Sequence, residues 1–238
     1  INMIDYSQEL RPIQGLSQSQ LEASQVQFMQ KVYGWMVVGL GLTGLLAYYI
    51  YESGAWLSIA PYSIYIGLAT LGLVFYLSFR IHKMSAMTAT GVFIAYALLN
   101  GLFFSSIFAA YEMGAIYNAF FVSAGAFVAL SVYGFTTKKD LSAFGKFLFM
   151  GLVGIILVML INTFLIQSSL FDTTISIIGV LLFAGLTAYD TQRLKNMHHF
   201  YMQNNELARK GAIMGALALY LDFINMFLFM LRLLGGRD

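Results

Sequence analysis

The chain has 238 residues, of which 59% are apolar, 16% aromatic and 10% charged, with a net charge of +2 and a mean hydropathy of +0.75. Soluble domains carry about 25% charged residues, so this composition excludes an ordinary soluble domain and indicates a polytopic membrane protein. The absence of cysteine excludes disulfides, thiolate metal sites and thiol catalysis.

Residues 1–31 are polar and glutamine-rich, with Gln14, Gln18, Gln20, Gln25, Gln27 and Gln30. They lack the basic start and short apolar core of a cleavable signal peptide, so the first apolar run is expected to act as its own insertion signal. That run extends from Val32 to Tyr51, about the twenty residues a helix needs to cross a hydrocarbon core. Later runs cover Tyr62 to Phe79, Ala86 to Ala109, Ile116 to Phe135, Phe147 to Ile166 and Thr174 to Ala188, and the last lies between Gly211 and Leu231. The expectation is an all-α integral membrane protein: a seven-transmembrane-helix bundle forming one domain over 32–238, behind a polar cytoplasmic tail over 1–31.

The links sort by charge. The first, third and fifth contain Glu52, Glu112 and Asp172 and neither Lys nor Arg, whereas every basic residue between runs falls in the second, fourth and sixth. This positive-inside pattern predicts a cytoplasmic N-terminus. Seven crossings then place Arg232 and Arg237 on the outer side against the rule, which leaves open a seventh segment that does not fully cross.

Gly39-Leu40-Gly41-Leu42-Thr43-Gly44 matches the G-x-G-x-x-G string of dinucleotide-binding loops. The string works only where a strand turns into a helix and backbone amides face phosphate, and here it lies inside a span. Small residues that let helices approach are the expected reading, as for Gly211-Ala212-Ile213-Met214-Gly215. His82, His198 and His199 are too few for a metal site and are read as interfacial residues among basic links. No nucleic-acid module is visible, so no nucleic-acid partner is expected.

Asp190 and Asp222 stand apart. Asp222 is the only charge between Gly211 and Leu231, and Asp190 closes the sixth run. Each follows a tyrosine, in Tyr189-Asp190 and in Tyr220-Leu221-Asp222. An ionisable group so deep is costly and reads as functional. Two carboxylates brought together in a low dielectric cannot both ionise readily, so such a pair shares a proton and titrates as a unit. The competing reading pairs Asp190 with Arg193 at the helix end and leaves Asp222 hydrogen-bonded alone. Counted from the inner ends of their runs, Asp222 lies about 16 Å deep and Asp190 about 8 Å. Tilt, or a seventh helix beginning nearer Met214, would have to close that gap.

With Lys138-Lys139-Asp140-Leu141-Ser142, Ala188-Tyr189-Asp190 and Leu219-Tyr220-Leu221-Asp222-Phe223-Ile224-Asn225, the sequence resembles a bacterial member of the transmembrane Bax-inhibitor-motif family, from about Tyr33 to Leu234. The resemblance implies a seven-helix bundle with the last helix at its centre, acting in the inner membrane as a pH-sensitive calcium leak. Asp190 and Asp222 match the family's gating pair and would be transient calcium ligands. Arg80 takes the place of the latching arginine, with Lys83 as the alternate. Tyr189, Tyr220, Asn225 and Asn100 are the polar neighbours expected to support them. Asn100-Gly101 stands where many relatives carry a glutamate before the glycine, which removes one acidic ligand. Calcium is the expected cargo, the lipid bilayer and a membrane-protein partner are the expected contacts, and no resident cofactor and no enzymatic activity are expected. Two alternatives remain at this level. One is a non-transporting regulator that binds membrane proteases or survival factors. The other is an intramembrane aspartyl protease, whose paired aspartates these resemble but whose Gly-x-Gly is replaced by Leu219-Tyr220-Leu221.

Overall fold

The computed structural model describes residues 17–201 and 204–235, which are helical throughout apart from short links, with no strand among them. Seven helices are long and apolar enough to cross a membrane: α1 (Gln18–Glu52), α2 (Ser63–Arg80), α3 (Ala86–Ala110), α4 (Met113–Thr136), α5 (Ser142–Ile161), α6 (Ser169–Tyr201) and α7 (Asn205–Leu234). The chain is therefore an integral membrane protein in contact with a lipid bilayer. One end of the bundle carries the basic links and the other the acidic ones, called here the basic and acidic ends.

Three helices are longer than their apolar runs. α1 begins at a capping box in which the Ser17 hydroxyl accepts from Gln20 N–H and the Gln20 side chain accepts from Ser17 N–H. Its 35 residues span about 52 Å, well beyond a hydrocarbon core of about 30 Å. The polar segment before Val32 is thus not a tail clear of the bundle, at least from Gln18 onward. Phe28 and Met29 are core residues, and Gln25 donates to the Lys195 carbonyl at 3.2 Å. Residues 1–16 of that expected tail lie outside the described residues. α6 and α7 likewise extend past the apolar runs toward the basic end, and the 30 residues of α7 are ample for a complete crossing.

The last helix is central. In its most apolar stretch 61% of residues are buried, against at most 39% for any other span. It packs on α1, α3, α4 and α6. α2 is the opposite case: it packs chiefly on α3, Leu77 is its one buried residue, and Pro61 in the helical turn Ala60–Tyr62 precedes it.

Small residues set the helix separations at particular points. A Cβ on Gly134 would overlap the Ala188 carbonyl of α6, so α4 and α6 touch backbone to backbone there. A Cβ on Gly145 would meet the Tyr189 ring. In the Gly39 to Gly44 string, only Gly39 is a packing glycine, facing Phe93 and Tyr220; Gly41 and Gly44 have open space. Gly215 receives Leu194 and Val32, and Gly179 receives the Phe229 ring. The last two contacts fix the register of α6 against α7, and both put Ala218 or Leu219 level with Asp190.

His198 departs from the interfacial reading. It is buried, with Nδ1 3.0 Å from the Lys195 carbonyl, because α6 continues as helix past the apolar run and turns that residue inward. The His82 and His199 side chains lie outside the described residues.

Candidate functional site

The register of α6 and α7 removes part of the depth conflict between the two aspartates, from about 8 Å to about 5 Å. Asp222 lies three or four residues beyond the position level with Asp190, about 5 Å along the axis and on the same face of α7. The offset shrinks because α7 begins at Asn205, six residues before its apolar run, and α6 extends correspondingly beyond its own. Asp190 is therefore the charged group that acts on Asp222.

The two carboxylates have different surroundings. Asp190 lies 3.8 Å from the Arg193 guanidinium one turn along α6. Asp222 is only 5% exposed, and its Oδ2 is buried without a hydrogen-bond partner. Leaving such an oxygen unpaired costs about 1–3 kcal/mol and more if it is charged.

Both aspartates line one cavity of about 1430 Å³ walled by α2, α3, α5, α6 and α7. Along α7 it extends from Leu207 to Arg232, so it runs nearly the length of the bundle. Asn100, Asn225 and Tyr189 also line it. Asn100 donates to the Tyr96 carbonyl at 3.0 Å and Asn225 to the Leu221 carbonyl at 2.8 Å. Each amide thus gives one of its two N–H groups to its own helix, and each side-chain oxygen is an acceptor. Together with the carboxylates they form a sparse set of hard oxygen donors. No group of three or more His, Cys, Asp or Glu among the described residues is close enough to hold a metal ion.

Tyr220 does not belong to this wall. Two residues from Asp222, it faces away toward α1 and α3, fully buried, with its hydroxyl 2.7 Å from Thr43 Oγ1 and its ring edge-on to Phe93 and Tyr96. Thr43 Oγ1 also lies 2.8 Å from the Ala97 carbonyl and 2.9 Å from that of Gly39. Since carbonyls only accept, the threonine hydrogen goes to a carbonyl and Tyr220 donates to Thr43. This relay ties α7 to α1 and α3 behind the site.

Arg80 and Lys83 are both exposed, neither lines the cavity, and no ion pair joins either to Asp190 or Asp222. The latch that the resemblance assigns to Arg80 is not made in this conformation, because α2 packs on α3 and leaves its basic end outside the cluster. The ion pair between Asp190 and Arg193, weighed above as the competing reading, is present. Its companion expectation of a hydrogen-bonded Asp222 does not hold at Oδ2.

Lys138-Lys139-Asp140-Leu141-Ser142 acquires a structural role. Gln192, two residues past Asp190 and on another face of α6, donates to the Lys139 carbonyl at 2.7 Å and accepts from Leu141 N–H at 2.8 Å. Asp140 accepts from Ser142 N–H at 2.9 Å, and the Ser142 hydrogen bonds hold its carboxyl below the usual range. Lys195 donates to the Phe135 carbonyl at 2.7 Å with its ammonium over the Phe135 ring. Gln192, Lys195 and Thr43 carried no sequence signal as site supports, since each is one polar residue at an ordinary place in a span or link.

A family model described as Inhibitor of apoptosis-promoting Bax1 matches residues 25–238. The chain is 47% identical over 215 residues to the Inner membrane protein YbhL of Escherichia coli K12, covering 88% of this chain and 92% of that protein. It is 47% identical over 212 residues to a protein of Deinococcus radiodurans, covering 89% and 91%. A Rickettsia prowazekii protein, RP147, is 36% identical over 245 residues, 99% of each chain.

Proposed function

The chain belongs to the family of inhibitors of apoptosis-promoting Bax1, and from that premise we propose that it is a pH-sensitive cation leak of an inner membrane, with calcium as the cargo and Asp190 and Asp222 as the gate. The observation that carries this reading is the cavity extending along nearly the whole length of the bundle, with the buried, unpartnered Oδ2 of Asp222 near its middle and Asp190 one turn away. The asymmetry of the links orients the basic end to the cytoplasm.

The chemistry follows from charge. With one proton on the pair, its attraction for a cation is weakened; with both carboxylates ionised, it attracts a cation strongly, whether a passing ion or a basic side chain. Arg193 is the counter-charge in the conformation described. Arg80 would reach the pair only through an inward movement of the basic end of α2. That helix has the least burial to lose, so the two states of the gate are assigned to α2 held away and α2 drawn in. Calcium would move past the carboxylates and the Asn100 and Asn225 oxygens with water still bound.

Hydrolysis is not part of the proposal. Leu219 and Tyr220 are fully buried beside Asp222, which leaves no room for a substrate backbone on that side. The direct test is purified protein in liposomes loaded with a calcium-sensitive dye. Flux above that of empty vesicles, varying with pH and altered by both Asp190→Asn and Asp222→Asn, is the expected result; flux equal to that of empty vesicles at every pH would sink the reading.

A further inference from the structure

The cavity has a second property that ion passage does not use: its outer wall is apolar side chain left uncovered by the protein. α2 and α5 face one another across it, and Leu71, Phe149, Met150 and Ile156 line it while remaining 51%, 63%, 68% and 48% exposed. α2 packs chiefly on α3 and α5 on α6, so the space between α2 and α5 is open toward the hydrocarbon. Along α5 the lining runs from Gly145 to Met159, about 21 Å at the helical rise, against about 15 Å for one leaflet's share of the hydrocarbon.

The basic end of the same crevice collects cations from three helices. Lys146 of α5, Arg193 of α6 and Lys210 of α7 all line it. The acidic groups near them are Asp190, in contact with Arg193, and Glu206, 3.4 Å from Lys210 but itself 58% exposed. Asp140 lies near enough to Lys146 for their charges to interact and is fully exposed. Three cations at the mouth and an uncovered apolar wall behind them match the two halves of one molecule.

We propose that the crevice between α2 and α5 is a binding site for an anionic diacyl lipid, with its phosphate held among Lys146, Arg193 and Lys210 and one acyl chain lying along Leu71, Phe149, Met150 and Ile156. The occupant is a lipid rather than a partner helix because the cations stand toward one end of the crevice and the wall beyond them is apolar and lies within the bilayer. A lipid so placed lies beside α2 and favours the conformation in which that helix stands away.

Native mass spectrometry of the purified full chain in detergent tests this without any measurement of flux, so its outcome is separable from that of the leak. Phosphatidylglycerol and phosphatidylcholine with identical chains are titrated in. The expected result is a single retained phosphatidylglycerol at about ten-fold lower concentration than phosphatidylcholine, the attraction of the three basic residues being partly offset by Asp190, Glu206 and Asp140 beside them. Lys146→Gln combined with Lys210→Gln should reduce that preference to within about two-fold, since two of the three headgroup cations are gone. Leu71→Trp, at an exposed position that the fold does not depend on, should reduce retention of both lipids by filling the chain's path. Glycerol phosphate at equal concentration should displace neither lipid, because the headgroup alone lacks the apolar contact. Equal retention of the two lipids, a preference that survives the double lysine variant, retention untouched by Leu71→Trp, or displacement by glycerol phosphate would each overturn the proposal.

Discussion

Arg193 and Asp190 are joined across one turn of α6 at 3.8 Å, and the pair lies about one helical turn toward the basic end from Asp222, whose Oδ2 has no hydrogen-bond partner. The counter-charge of the site thus comes from the helix that supplies one of its acids, and it acts on the second acid only through the first.

Arg193→Gln follows from that chain of influence. A positive neighbour favours the ionised form of Asp190, so if the two carboxylates share a proton as proposed, removing it lets them keep that proton to higher pH. The calcium flux curve in liposomes should move to higher pH by roughly half a unit, a modest shift because the arginine is more than half exposed to solvent. A curve that stays in place would mean that Asp190 does not feel Arg193.

Movement of α2 can be tested by tethering. Ser78 on α2 and Met214 on α7 both line the cavity, and the chain has no cysteine to interfere. Cysteines at these two positions, bridged by a short bifunctional thiol reagent with a cleavable linker, should lower flux by about ten-fold, with recovery when the linker is cut. Undiminished flux in the bridged protein would remove α2 from the gate.

The relay behind the site predicts an unequal pair of variants. Tyr220→Phe deletes a donor and leaves Thr43 bonded to a backbone carbonyl, at a cost of about 1 kcal/mol in reversible unfolding. Thr43→Val leaves the buried Tyr220 hydroxyl without its acceptor and should cost more, about 2 kcal/mol. The double variant should then be less destabilised than the two single costs summed. Equal single costs that add in the double would show that the 2.7 Å contact is not the coupling between α1 and α7.

Gly134 and Gly145 offer a contrast between rigid and yielding neighbours. An alanine at 134 meets the Ala188 backbone, which cannot move without parting α4 from α6; an alanine at 145 meets the Tyr189 ring as far in as Cγ, which clears it only by swinging the whole side chain toward the cavity it lines. Gly134→Ala should cost about 3 kcal/mol or lower expression outright, and Gly145→Ala about 1 kcal/mol, read from thermal unfolding in detergent. The reverse order would mean that α6 is free to shift.

The number of spans and the placing of Asp190 and Asp222 on one cavity were legible in the sequence because both depend on the bilayer: apolar runs of spanning length, and two carboxylates where carboxylates are costly. The helix limits were not. Hydropathy registers only the part of a helix that lies in hydrocarbon, so the glutamine-rich start of α1 and the basic extensions of α6 and α7 read as tail and link. The depth conflict between the aspartates arose from that same error. Arg193 was visible as a helical neighbour of Asp190, but the choice between it and Arg80 depended on where α2 sits, and α2 is the helix whose placement least reflects burial of its own side chains. Gln192 shows the remaining limit, since a glutamine that holds a link through two backbone groups is indistinguishable in sequence from a solvated one.

The continuity of α1 has a use beyond packing. From Ser19 to Val32 it is a rigid rod of about 20 Å standing beyond its apolar run, seated on the bundle through Phe28 and Met29. Any tilt of the bundle within the bilayer is therefore carried to Ser19 as a larger sideways displacement in water. A dye on that exposed residue would serve as the pointer of an optical lever, reporting movements of the membrane-embedded helices from a position outside the site.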